Sequence, residues 1–149
     1  MKTKLKLIIL FIGVFVASCA TYYDHYTLTE TVMTKVMVED LLNKSTKPFS
    51  EHEQEVSNLQ QQIQKMWLYE KTKDKNLIMQ QMWGLLNNEN SALQGFLTTW
   101  ESQGIMSPVF VEEFKPEIIP LFDLMIDFES KKDKKAENAL LEILNMALN

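Results

Sequence analysis

Asn76 to Gly104 reads NLIMQQMWGLLNNENSALQGFLTTWESQG, and the spacing of its apolar residues decides the fold class. At 100° per residue, Ile78, Met82, Leu85, Leu86, Ala92, Leu93, Phe96 and Trp100 fall on one stripe. The stripe stays in phase across the whole span. That continuity predicts one long helix from 76 to 103, despite Gly84 and the Asn87-Asn88-Glu89-Asn90 patch. Gly104 then stands where a helix C-terminal glycine belongs.

The same helical period extends to both sides. Upstream, Ser50 with Glu53 has the capping-box spacing, and Phe49 holds the staple position. Val56, Leu59, Ile63, Met66 and Trp67 then share one side of a predicted helix that ends at the charged turn 71–75. Further upstream, a helix over 27–43 carries two adjoining i, i+4 rows: Leu28, Val32, Val36 and Met33, Met37, Leu41. Downstream, Ser107-Pro108 is an N-cap followed by proline at the first helical position. Phe110, Phe114, Ile118, Leu121, Met125 and Phe128 form the next stripe. Pro116 and Pro120 project opposite that stripe, so one bent helix over 108–130 is expected, with two shorter helices as the alternative. A short last helix over 136–148 presents Leu140, Leu141, Leu144 and Leu148. The fold expectation is all-α: an antiparallel bundle of four main helices plus a short C-terminal helix, forming one domain over 27–149.

Composition agrees with a single domain. The chain has 149 residues, 46% of them hydrophobic, and four Gly and four Pro. One Cys excludes an intramolecular disulfide and a multi-cysteine zinc site. All 15 basic residues are Lys, and the net charge is −5. Without arginine's bidentate fork and with an acidic balance, the chain does not read as a nucleic-acid binder.

The first residues read as an address. Lys2, Lys4 and Lys6 precede the apolar run Leu7 to Val16 (LIILFIGVFV), which is too short to span a bilayer and suits a signal-peptide core. Val16-Ala17-Ser18-Cys19 follows, an aliphatic residue, two small residues and the cysteine. This resembles the lipobox of bacterial lipoproteins. The resemblance covers residues 1–19. It implies a signal peptide over 1–18, cleavage between Ser18 and Cys19, lipid on Cys19, and a lipidated tether over 19–26. An uncleaved anchor, or a secretory signal with an incidental cysteine, is the plainer alternative. Ala20 rather than Asp follows Cys19, so the resemblance points to the outer membrane, facing the periplasm; the inner membrane and the cell surface remain open. Losing residues 1–18 removes three Lys and no acid, leaving 12 Lys against 20 Asp+Glu, a net −8. The expected membrane contact is therefore through lipid on Cys19 and not through a basic surface. Tyr22, Tyr23 and Tyr26 suit a membrane interface.

Candidates for chemistry are few. Neither His25 nor His52 has the Glu-x-x-His spacing of a di-iron bundle. His52 falls near the apolar stripe of its helix, level with about Leu93 if the two helices run antiparallel. Glu89 lies a turn away, so a buried His52–Glu89 pair is one reading; a boundary histidine and a solvated glutamate is the other. Glu70 is in phase with its stripe beside the charged turn, and either pairs with a nearby Lys or faces water. Met79 and Met82, which cluster with Trp83, and Met33 with Met37 read as core filler more readily than as a copper site. Trp67 and Trp100 are expected in the core. Trp83 stands at its stripe's edge, as a partner-binding anchor or as a rim residue. With Cys19 consumed by lipid, no G-x-S-x-G and no P-loop, the sequence predicts no catalytic residue, no metal site and no cofactor.

The functional expectation is a non-enzymatic lipoprotein that binds an envelope protein partner as an adaptor or accessory module. The alternatives are a periplasmic holdase-type chaperone and a bundle binding a small ligand or metal at His52 and Glu89. For the chaperone, Leu97-Thr98-Thr99-Trp100-Glu101 is a near miss to a Leu-Thr-x-x-Gln motif.

Overall fold

The computed structural model describes residues 24–147, which hold six α-helices, one 3-10 turn and no strand. The expected signal peptide, its cleavage at Ser18–Cys19 and the tether up to residue 23 lie outside the described residues. The helices are α1 (His25–Lys44), α2 (Glu53–Lys71), α3 (Leu77–Asn87), α4 (Ala92–Gln103), α5 (Pro108–Lys131) and α6 (Lys134–Ala147), with the 3-10 turn Phe49–Glu51 before α2. No helix among the described residues is long and apolar enough to cross a membrane.

Packing closes the chain into a ring. α1 lies against α2 and α5, α2 against α3, and α3 against α6, which returns to α5. α4 packs on α3 and on the 3-10 turn, and its Phe96 stacks on Phe114 of α5 at 4.7 Å. Val38, Leu59, Ile63, Met66, Met82, Trp100, Phe122, Met125 and Leu140 form the centre of the shared core. α1 and α2 run in opposite directions, because Thr27 meets Glu70, Glu30 meets Lys65, and Lys44 meets Glu55.

The single helix expected over 76–103 is in fact two. Residues 88–91 break it, and Ser91 caps the second piece by accepting from the Gln94 amide at 3.3 Å. The in-phase stripe survives because the break keeps both pieces facing the same core. The buried face of α3 is nonetheless rolled toward Met79 and Trp83, leaving Ile78 and Leu85 half-buried and Ala92 exposed. The capping box expected at Ser50 does not form: residues 49–51 wind as a 3-10 turn and His52 is the N-cap of α2.

α1 departs furthest from its expected pattern. It buries Thr27, Thr31, Thr34, Val38, Leu41 and Leu42, while Val32, Met33 and Val36 face out. Its last two turns hold Val38, Leu41 and Leu42, and a helix has only one inward face, so their burial forces the three threonines inward. Thr31 and Thr34 satisfy their hydroxyls by donating to the carbonyls four residues back, at 2.7 Å each.

α5 agrees with the one-helix reading. It runs unbroken through Pro116 and Pro120, both exposed, and starts at Ser107 with Pro108 in the first turn. Phe110 is the exception to its stripe, being exposed while Val111 and Phe122 are buried. Gly104 ends α4 at φ +77°, a conformation that favours glycine.

Two opposite shifts are expected within α4. Ser91→Ala removes the cap and lowers unfolding free energy by about 1 kcal/mol. Gly95→Ala, at an exposed position where an added Cβ meets nothing, raises it by roughly 0.5–1 kcal/mol. Urea denaturation of the two variants checks both; equal midpoints would show that α4 does not begin at Ser91.

Candidate functional site

The described chain concentrates its buried charge at one end, where α1 starts, α2 turns into α3, and α5 ends. Asp24 is the N-cap of α1: its Oδ1 accepts from the amides of Tyr26 and Thr27 at 2.9 and 3.2 Å. Its Oδ2 faces across to α2, accepting from the Tyr69 hydroxyl at 3.1 Å and from Lys73 Nζ at 2.5 Å. Lys73 spends its three protons on three oxygens: Asp24 Oδ2, Glu70 Oε1 at 2.5 Å and Thr27 Oγ1 at 2.6 Å. The Thr27 hydroxyl in turn donates to Glu70 Oε1.

Glu70 is 0% exposed. One of its oxygens carries all of these contacts, and Oε2 has no protein partner. A second carboxylate, Glu129 on α5, is equally buried and fully satisfied, accepting from Asn76 Nδ2 at 2.5 Å and from Lys132 Nζ at 2.7 Å. Asn76 and Lys132, the residues that hold Glu129, are the two non-glycine residues with positive φ among the described residues, at 79° and 49°. Asparagine tolerates that conformation; lysine pays more for it. Beside these groups lies a cleft of about 570 Å³ lined by Asp24, Tyr69, Lys73, Lys75, Asn76, Phe128 and Lys132. Lys73 stands over the Tyr69 ring at 4.5 Å and Lys132 over the Phe128 ring at 4.8 Å. The cleft thus offers ammonium groups, one carboxylate, a phenol and an amide around aromatic walls, a set suited to holding a small polar molecule.

The electrostatics split the two carboxylates joined by Lys73. Burial raises the Asp24 carboxyl, but the hydrogen bonds from Lys73 and Thr27 outweigh it and bring it down to about 2. Burial dominates at Glu70 and pushes its carboxyl up, against the pull of Lys73 and Thr27, and the charge of Glu129 adds to the rise. For Lys73 burial acts downward, yet Asp24 and Glu70 together leave it raised.

The residues singled out in the sequence lie elsewhere. His52 and Glu89 are not brought together. His52 is buried at the opposite end, with Nδ1 3.5 Å from Glu55, its ring 5.8 Å from that of Trp100, and Nε2 without a protein partner. Glu89 is exposed in the turn between α3 and α4, because the helix that would have carried it inward ends at Asn87. Trp83 is not at the rim: it is 0% exposed, enclosed in a helix that packs on α2, α4 and α6, and its indole N–H has no partner. Trp100 is buried as expected, and Trp67 is half-buried, with Lys71 4.4 Å over its ring. Glu70 both pairs with a lysine and is buried. Sequence reading did not reach Asp24, Glu129 or Asn76; the Glu70-x-x-Lys73 and Glu129-x-x-Lys132 spacings were the available signal. Among the described residues, no group of three or more His, Cys, Asp or Glu is placed to hold a metal ion. No protein family, curated protein or solved structure matches this chain.

The two carboxylates have opposite pH signatures. Asp24, held low, stabilises the fold above the ordinary carboxylate range, and that contribution disappears as pH falls toward about 2. Asp24→Ala therefore costs about 1–2 kcal/mol at pH 7 and less as pH falls toward about 2. Glu70, held high, stabilises the fold when protonated, and the contribution fades as pH rises through its raised value. Glu70→Gln accordingly gains stability relative to the parent as pH rises from about 4.5. Denaturant titrations from pH 2 to 8 measure both; parallel pH profiles for parent and Glu70→Gln would show that Glu70 is not ionising in a buried place.

Proposed function

We propose that this chain is a lipid-anchored, non-enzymatic module of the bacterial envelope whose antiparallel helical bundle binds another envelope protein as an adaptor or accessory subunit. The observation that carries this reading is Val16-Ala17-Ser18-Cys19, placed after a basic segment and a ten-residue apolar run and built around the chain's one cysteine. Signal cleavage between Ser18 and Cys19 leaves Cys19 as the acylated amino terminus. Two or three acyl chains there hold an acidic body of net −8 at a membrane without help from surface charge. Ala20 after the cysteine favours the outer membrane, with the body facing the periplasm. The buried position of Trp83 removes it as the docking residue, so a partner must be met by other exposed side chains.

A second reading, binding of a small polar ligand, is favoured by one observation: Asp24, Tyr69, Lys73, Asn76 and Lys132 line one cleft beside the ring of Phe128.

Mass spectrometry of the protein from a native envelope tests the first reading. The expected product starts at Cys19 with diacylglycerol on its thiol, and Cys19→Ala leaves an unprocessed, unacylated precursor. A mature form starting elsewhere, or an unmodified Cys19, would refute it. Cross-linking in that envelope should capture one discrete protein; suppression of aggregation of unrelated unfolded clients would instead identify a holdase. A panel of small polar metabolites that shifts the parent's Tm, with the shift lost in Lys73→Ala and Lys132→Ala, would establish the second reading.

A further inference from the structure

The outward face of α1 over its first three turns is unlike a solvated helix face. It presents His25, Tyr26, Thr29, Val32, Met33 and Val36, with no Asp, Glu or Lys among them. Met33 is 49% exposed and Val36 57%. The charged residues of the same turns are turned aside: Glu30 toward Lys65 and Gln62 on α2, and Lys35 toward Asp123 on α5. Charge returns to the outward side only at Glu39 and Asp40, past the apolar stretch. Three neighbouring apolar side chains left in water, while threonines fill the inward side of the same helix, form a patch and not scattered single residues.

Where this patch sits identifies what covers it. Resting on the lipidation of Cys19 proposed above, we propose that the first three turns of α1 lie against the lipid bilayer, with Tyr26, Val32, Met33 and Val36 in its interfacial region. Six residue steps separate Cys19 from His25, and an extended chain covers at most about 3.6 Å per step, so α1 starts within roughly 20 Å of the anchored lipid. A body of net −8 is repelled by an anionic bilayer, and this face alone on α1 brings no acid to it until Glu39. A tyrosine at the anchored end and aliphatic residues beyond it suit the boundary between headgroups and acyl chains. The exposed apolar residues at the other end serve as the internal contrast. Val109 is 67% exposed, but it follows Met106, whose amide bonds the Ser45 carbonyl at the far end of α1. The 20-residue α1 puts about 30 Å between that end and the tether.

Collision accessibility of spin labels tests the proposal on the full, lipidated chain in phosphatidylethanolamine–phosphatidylglycerol vesicles. Acylation consumes the native thiol, so Met33→Cys, Val36→Cys and the control Val109→Cys each carry one reactive thiol. Labels at 33 and 36 are expected to be several-fold less accessible to a water-soluble nickel chelate than the label at 109, and more accessible to oxygen. Labels at 33 and 36 as open to nickel as the label at 109, on a protein whose mass confirms diacylglycerol at Cys19, would overturn the bilayer contact while leaving the lipoprotein reading intact. Spin–spin broadening at 33 and 36 would overturn it in favour of a second copy on this face. An unmodified Cys19 in the same sample would remove the anchor, and the bilayer contact with it.

Discussion

The contact between Thr27 on α1 and the buried carboxylate of Glu70 on α2 holds the near end of α1 to the roll that the buried Val38, Leu41 and Leu42 impose at its far end. A helix docked in a ring can slide, tilt or roll, and the roll decides which residues meet core and which meet solvent. At the far end of α1, Val38, Leu41 and Leu42 settle the roll by burial. At the near end apolar burial cannot do so, because the inward positions hold threonines. There the decision passes to hydrogen bonds: Thr27 to Glu70, Lys73 to both, and Asp24 closing the group from the helix cap. A carboxylate with no exposed surface must be matched by donors, since an unpaired buried charge costs several kcal/mol. Any roll that turned Val32 and Val36 inward would carry Thr27 away from Glu70 and strand it. The outward apolar face of α1 is thus the counterpart of a polar contact on its inner side.

The two ends of the molecule are closed by different chemistry. Where α1 finishes, backbone carbonyls take much of the bonding beside the Lys44–Glu55 pair: Phe49 donates to the Gly104 carbonyl at 2.7 Å and Met106 to the Ser45 carbonyl at 2.9 Å, with the Trp100 indole on the Lys47 carbonyl at 3.1 Å. These bonds are indifferent to pH across the neutral range. The Asp24 end is closed by side chains that titrate and by lysines whose stems bridge helices. Its strength therefore varies with pH, and its Lys132 corner carries a backbone conformation that lysine adopts at a cost.

Helical content, the unbroken α5 with its two prolines, the Ser107 cap and the Gly104 terminus were all legible in the sequence, because each rests on a local rule. What failed was inference from phase. A stripe that stays in register across 76–103 cannot distinguish one helix from two that share a core. The capping signal that could have separated them, Ser91 with Gln94, was present three residues apart. In α1 the apolar residues spread around the axis, so no count of hydrophobic positions could select threonine as the inward residue. Of the candidate site, Glu70 could be found, since it interrupts an apolar stripe beside a lysine, and Glu129 carries the same spacing to Lys132. Asp24 and the meeting of all three could not, because that depends on three helix ends coming together, which is a property of the ring and not of any segment.

Cleft and apolar face belong to the same end of the described chain, and α1 connects them. Asp24 caps α1 on one side of that helix and lines the cleft on the other, while Val32 and Val36 lie one and two turns beyond Thr29 on the outward face. On the proposed arrangement, the bilayer presses on a helix whose roll is held by Glu70 and Lys73. A ligand in the cleft that recruited Lys73 away from Glu70 would leave a buried carboxylate with Thr27 as its remaining donor. Cleft and outward face are thus joined through one lysine: the contacts that hold Lys73 on Glu70 and Thr27 also keep the roll of α1, and with it the face turned outward, in place.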